Sequence, residues 1–437
     1  MLAYNIRLAW KSIRRNPVLS ALIVLGIALG VSVATTFITI YHVLAKDPLP
    51  GKSDKLHYVR LDTWGGLQSA TPEGPPRKIT YRDMAALLKS GIPVRQAGTA
   101  TAELVVRPEG KGATARPFRE AVRLTHADFF PMFGVPFRYG SGWGRPADKK
   151  PEAVAVIGAE LNDRLFGGED SVGRTIRLED RDFRIVGVID HWQPPVRYYD
   201  LVDSPLGDAE QVFVPFDWLG PMEMQSSGSQ QSWDNEPQGT YLERLQSSER
   251  LWLGYWVELP DAERVEAYRS FLASYVTDQH KLGRFPRSQD FRVTPMVDFM
   301  EELEVVPPQA KSLALISILF LAVAAVNLIG LFLGKFLARA SIVGIRRALG
   351  ASRRAIFLQH LVECEVVALL GGAAGLAIAF GTLALINGNV DNLPHFRLDA
   401  AMAAAAVFLS LVAGAVAGVY PAWRICAIPP ARHLKNQ

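Results

Sequence analysis

The sequence predicts an α-helical membrane protein with four transmembrane helices and one large α+β extracytoplasmic domain. Three observations carry that prediction. Four apolar runs are long enough to cross a hydrocarbon core of about 30 Å. The polar middle alternates apolar and polar residues as strands do, or repeats them as amphipathic helices do. Lysine and arginine gather at particular ends of the apolar runs. With 437 residues, of which 49% are hydrophobic, there is room for a sizeable globular unit beside the spans. The net charge of +4 does not point to nucleic acid, because the placement of charge matters more than its sum.

The elements follow in chain order. Residues 1–17 read as a cytoplasmic amphipathic helix bearing Arg7, Lys11, Arg14 and Arg15, and residues 18–44 as the first span. That span is too long for a cleaved leader and has no small-residue cleavage signature after it. Residues 45–310 form the external domain, 311–338 the second span, 339–358 a helix and loop, and 359–386 the third span. A short connection, 387–398, leads to the fourth span, 399–421, and a tail, 422–437. Lys335, Arg339, Arg346, Arg347, Arg353 and Arg354 gather around the connection between spans two and three, Lys335 at the end of span two, and Arg424, Arg432 and Lys435 follow span four. The other connection sets only Arg397 against Asp391 and Asp399. The positive-inside rule then puts both termini and the arginine-rich loop in the cytoplasm.

In the external domain the strand candidates are Leu56–Asp62, Ala102–Arg107, Phe118–Leu124, Ala153–Gly158, Phe183–Asp190, Gln211–Phe216 and Leu251–Leu259. Thr80 is placed to cap one helix and Asp261 another, whose apolar face comprises Val265, Tyr268, Phe271, Leu272 and Tyr275. The Gln/Ser/Gly-rich piece Met222–Ser248 reads as a mobile loop. The segments around it suggest one subdomain inserted into another, with the outer one rooted on the first two spans. Gly168–Thr175, GEDSVGRT, resembles a phosphate-cradling loop, but Arg174 replaces the lysine and no long helix follows. It reads as a turn between a short helix and a hairpin. Both cysteines, Cys364 and Cys426, fall near the C-terminal spans. The external domain therefore has no disulfide, and no Cys/His cluster has metal-ligand spacing. No pair of acids or nucleophile motif stands out for catalysis. Trp252, Tyr255 and Trp256 read as core packing rather than a cleft.

The informative stretch is VGIRRALGASRRAIFLQHLVE, Val343–Glu363. IRRAL reads as a short helix with arginines on one face and Ile345 and Leu349 on another. Gly350 is suited to end it in the left-handed conformation, and Ser352 to cap the next helix. A basic amphipathic helix at a membrane surface either anchors to anionic lipid or acts as a lever set into a cytosolic partner. Within the spans, Asn327 needs a partner across helices. Gly26/Gly30 and Gly371/Gly375 have the small-xxx-small spacing of close helix packing.

GIRRALGASRRAI, followed by LVE and the glycine-rich LLGGAAGLAIA, resembles the FtsX/MacB-type permeases of ABC transporters. So does the opening IRLAWKSIRRNPVLSALIVLGIALGV. FFPMFGVPFRYGSGW and the segment from VAVIG to FRIVGVID resemble the MacB-type periplasmic core, with a porter and an inserted second subdomain. The ending GVYPAWRICAIPPARHLK is similar to the family's closing motif. The resemblance implies a bacterial inner-membrane permease without a cofactor of its own, driven by a cytoplasmic ABC ATPase that holds ATP and Mg. It implies a second permease chain, and in many relatives a periplasmic adaptor and an outer-membrane channel. Export of periplasmic substrate is the leading expectation. Lipoprotein release and FtsX-like control of a cell-wall hydrolase are the alternatives, and outside transport a mechanotransmission or signalling subunit, a sensor or scaffold that moves no substrate. The resemblance places ATPase coupling at Gly344, Ile345, Arg346, Arg347, Leu349, Gly350, Ser352 and Arg353, with the two arginines at the ATPase groove and Ile345 and Leu349 as apolar contacts. Asn327 sits where the family often has asparagine. The family reads REIGIRR where this chain has SIVGIRR, so Ser341 and Ile342 replace a charge pair. That departure implies a non-identical second permease, with a homodimer as the alternative.

Overall fold

The computed structural model describes residues 2–64, 74–108, 116–150, 152–232, 237–286, 289–389 and 396–427. They form two compact units, one of residues 47–305 and one of 1–46 with 306–437. Arg432, Lys435 and Asp391, used above for orientation, lie outside the described residues, as does the end of the closing motif.

The second unit opens with α1 (Leu2–Arg15) and α2 (Pro17–Ala45). The external unit then runs β1 (Leu56–Leu61), α3 (Tyr81–Leu87), β2 (Arg95–Arg107), β3 (Phe118–Thr125), α4 (Phe129–Phe133), β4 (Phe137–Gly140), α5 (Pro146–Lys149), β5 (Val154–Gly158) and α6 (Ala159–Phe166). It continues with β6 (Thr175–Leu178), β7 (Arg181–Ile189), β8 (Val212–Pro215), β9 (Ser226–Ser227), α7 (Tyr241–Ser247), β10 (Gly254–Glu258), α8 (Ala262–Lys281), β11 (Phe291–Pro295) and α9 (Met296–Glu302). The chain returns to the helical unit with α10 (Pro308–Leu337), α11 (Ala340–Ala348), α12 (Arg353–Asn389) and α13 (Ala400–Ala427).

The strands of the external unit share one mixed sheet in the order β11-β1-β10-β2-β3-β8-β5-β7-β4, with β6 and β9 paired to its flanks. Strands from the two ends of the unit, β1, β10 and β11, make one side, and the middle of the chain makes the other. The two sides are continuous through the long β2–β3 ladder, so the external unit is one sheet. Both expected helix caps form: Thr80 accepts from the Asp83 backbone N–H at 3.1 Å, and Asp261 from that of Arg264 at 2.8 Å. Behind the second cap, α8 buries Tyr268, Leu272 and Val276, one turn apart, against the sheet. Trp252, Tyr255 and Trp256 are buried core residues. Trp256 meets Tyr58 edge-on, with ring centroids 4.9 Å apart.

Two parts of the sequence reading change. Met222–Ser248 is not a plain loop: it carries β9, and α7 begins with a capping box in which Thr240 and Glu243 bond each other's backbone N–H. Low apolar content hid a helix whose first turn is stabilised by polar groups. GEDSVGRT is the expected turn, with Gly168 and Gly173 at φ 82° and 87°. The Ser171 hydroxyl donates to Asn162 Oδ1 at 2.6 Å, and the chain then enters the β6–β7 hairpin.

In the helical unit α2, α10, α12 and α13 are long and apolar enough to cross a membrane. Their shared core includes Ile27, Val31, Leu328, Phe332, Val367 and Ala417. α13 continues through Pro421 to Ala427, so the first residues expected in a tail are helical.

Candidate coupling site

The two helix-end devices expected in the GIRRALGAS stretch, the Gly350 stop and the Ser352 cap, are present. α11 closes with Gly350 at φ 98°. The Ala351 N–H donates to Arg346 O at 3.0 Å and that of Gly350 to Arg347 O at 3.1 Å, the paired bonds of a Schellman motif. Two residues on, Ser352 Oγ accepts from the Ala355 N–H at 3.2 Å and starts α12. Both helices are thus ended by local hydrogen bonds, and the joint between them is short.

The arginines and the aliphatic residues of α11 lie on separate faces as expected, but it is the aliphatic face that points outward. Val343 and Ala340 are buried, whereas Ile342, Ile345 and Leu349 are 43%, 53% and 83% exposed. Their i, i+3, i+7 spacing lines them along one side of the helix. The arginines turn back on their own chain. Arg346 donates to Gln359 Oε1 of α12 at 2.6 Å, and Arg347 to Cys426 O of α13 at 3.1 Å. Ile342, which stands where the family has glutamate, extends the exposed aliphatic row by one turn.

Beneath α11 lies a charge cluster the sequence reading did not assemble. Lys335 on α10 and Glu363 on α12 are buried and 2.8 Å apart. Arg339 lies 3.7 Å from the same carboxylate and donates to Ser12 O of α1 at 2.9 Å. The Ser12 hydroxyl in turn donates to Glu363. His360 packs on Phe336 with ring centroids 4.5 Å apart. One carboxylate therefore ties α1, α10 and α12 together where α11 leaves the bundle. Its signal was a lysine and a glutamate inside apolar runs, where ionisable groups are costly and functional by default.

The glycine pairs are used as their spacing suggests. A Cβ on Gly371 would fall 2.7 Å from Ile27 Cβ, and one on Gly375 2.7 Å from Ala28 O, both on α2. Gly26 and Gly30 are closed in the same way by Leu328 and Leu321 of α10. Asn327 departs from expectation. It is exposed on the outer side of α10 and makes no hydrogen bond among the described residues, because α10 turns its other face to the bundle. Gly330 and Gly334, spaced along that same outer side, have open space around them.

A four-span bundle with a large α+β domain between its first two spans, and a capped helix pair between the next two, defines a multi-span permease subunit. Residues 20–274 match the MacB-like periplasmic core domain and 314–430 the FtsX-like permease C-terminal domain, and the chain belongs to this MacB/FtsX-type family of ABC transporter permeases. It is 24% identical to the macrolide export ATP-binding/permease protein MacB of Syntrophobacter fumaroxidans, over 99% of this chain and 64% of that one. It is 23% identical to the pyoverdine export ATP-binding/permease protein PvdT of Pseudomonas syringae pv. tomato, over 99% and 59%. The chain thus spans about three-fifths of the length of these relatives, and what it matches by family is the permease part. The periplasmic region of MacB from Actinobacillus actinomycetemcomitans aligns with 59% of this chain at 12% identity and a TM-score of 0.37.

Proposed function

We propose that this chain is the mechanical arm of an ABC exporter, carrying the movement of a cytoplasmic ATPase through the four spans to the external domain and its periplasmic substrate. Both termini and α11 then face the cytoplasm of a bacterial inner membrane. ATP and Mg bind on the ATPase, and this chain supplies contact and transmission. The observation that carries the reading is the joint at α11: an exposed aliphatic row, Ile342, Ile345 and Leu349, on a helix braced by Arg346 and Arg347 and backed by the Lys335–Glu363 pair. An apolar row on a rigid helix suits a groove in a partner. Arg346 and Arg347 keep a place at that groove mainly by fixing the angle of α11.

A second permease chain pairs along the outer side of α10. Ile316, Phe320, Val323, Asn327, Gly330 and Gly334 follow one another at alternating spacings of four and three residues, the repeat of a helix–helix seam. The two open glycines permit close approach there, and Asn327 finds its hydrogen bond across the seam.

The test is co-purification with the candidate ATPase. Ile345→Glu/Leu349→Glu is expected to abolish capture while the chain still folds, because both side chains are exposed. Undiminished capture would remove α11 as the contact.

A further inference from the structure

A groove of about 350 Å³ opens between the first turn of α12 and the last turns of α13. Its lining is layered. Arg353 and Arg354 stand at one level with Cys426, whose Sγ–H donates to Arg353 O at 3.7 Å and fixes the two helix ends side by side. One turn further into the bundle the walls are Phe357, Leu358 and Trp423, the last two being 53% and 58% exposed. Neither arginine side chain has an ion pair or hydrogen bond among the described residues. Arg346 and Arg347, on the preceding helix, are both tied inward.

We propose that this groove seats one anionic phospholipid, with its phosphate on Arg353 and Arg354 and an acyl chain along Phe357, Leu358 and Trp423. Two guanidiniums without partners among the described residues, set over an apolar shaft, reproduce the polarity of a lipid end to end. Guanidinium is the side chain best matched to phosphate oxygens, and an indole at this depth sits where headgroup meets chain. The proposal depends on α12 and α13 crossing a bilayer and not on which ATPase or substrate the chain serves. Arg353, placed by family resemblance in the coupling segment, then faces lipid, and a bound lipid holds the start of α12 beneath α11.

Native mass spectrometry on the full-length chain in mild detergent tests it, with palmitoyl-oleoyl phosphatidylglycerol and phosphatidylcholine as probes. The wild type is expected to retain one phosphatidylglycerol in preference to phosphatidylcholine. Arg353→Gln/Arg354→Gln should lower that retention by about tenfold or more, while Arg353→Lys/Arg354→Lys keeps most of it. Both arginines are exposed, and thermal unfolding checks that the variants keep the fold. Equal retention of the two lipids, or undiminished retention by the glutamine variant, would overturn the proposal. So would displacement by glycerol 3-phosphate, which would mark a site for phosphate alone. Retention seen only after deletion of residues 428–437 would assign the groove to the chain's own tail.

Discussion

The external unit and the helical unit both bury ionic clusters, and the two differ in what surrounds them. In the external unit Arg123 and Arg197 share Asp200 and Glu210 at 2.5–2.7 Å, with Tyr199 beneath both guanidiniums. Two cations meet two anions inside one core, and the cluster pins the segment after β7 to β3. In the helical unit one carboxylate, Glu363, serves Lys335 of α10, Ser12 of α1 and Arg339 of the turn that leads into α11. The first arrangement locks a fold. The second joins α1, α10 and α12 just before the chain enters α11. The outward faces make the same contrast: the bundle leaves Asn327, two open glycines, an aliphatic row and two arginines unpartnered among the described residues.

The largest effects should come from stranding a buried charge. Glu210→Ala leaves two buried arginines with only Asp200 between them, and Glu363→Ala strands the buried Lys335. Each should cost about 3–5 kcal/mol, read as a lowered midpoint in thermal unfolding of the full chain. If the account of the two clusters is right, Glu363→Gln at a tolerable temperature also uncouples ATP hydrolysis from the external domain, and Glu210→Gln does not.

Overpacking comes next. Gly371→Val drives a side chain into Ile27 and should destabilise by about 1–3 kcal/mol. Gly330→Val meets open space, so the single chain should keep its stability. Its association with a second permease should weaken, measured by cross-linking or mass photometry. Equal destabilisation by the two changes would contradict the division between inner and outer faces.

Smaller still is a pH effect in the external unit. Burial pushes the Asp148 carboxyl up to about 6, even though the Ala127 N–H and the Trp143 indole favour its charged form. The unfolded chain returns it to its ordinary value of 3.8, so between those values the folded form binds the extra proton. Stability contributed by this group is therefore gained as pH falls from 7 to 5. Relative to Asp148→Asn, the wild type should be more stable at pH 5 than at pH 7 by comparison of unfolding midpoints. Last comes the cap on α3, where Thr80→Ala should cost about 1 kcal/mol.

Much of this was legible in the sequence because it is written in neighbours. Thr80, Asp261, Gly350 and Ser352 act on residues within a turn, and span lengths and strand alternation are local patterns. The small residues Ala97–Ala102 in the first half of β2 gave no alternation to read, although their neighbours pair fully with β10 and β3. Glu363 and Lys335 were visible as charges in apolar runs. That Ser12, more than three hundred residues away, completes the cluster depends on how the helices meet. The inward turn of Arg346 and Arg347 depends likewise on Gln359 and Cys426, which no local rule connects to them. Asn327 was noticed for its chemistry, while its direction is set by the side of α10 that packs.

The transmission claim has a direct test. Both native cysteines are buried in the helical unit, so Ser274→Cys, at an exposed position of α8, gives one accessible thiol in the external domain. With a fluorophore there and the complex of permease and ATPase in nanodiscs, ATP binding is predicted to change the emission. Ile345→Glu/Leu349→Glu is predicted to abolish the change while leaving the ATPase able to bind nucleotide. A label that stays silent while the coupled ATPase turns over, or that still responds in the double variant, would contradict the account.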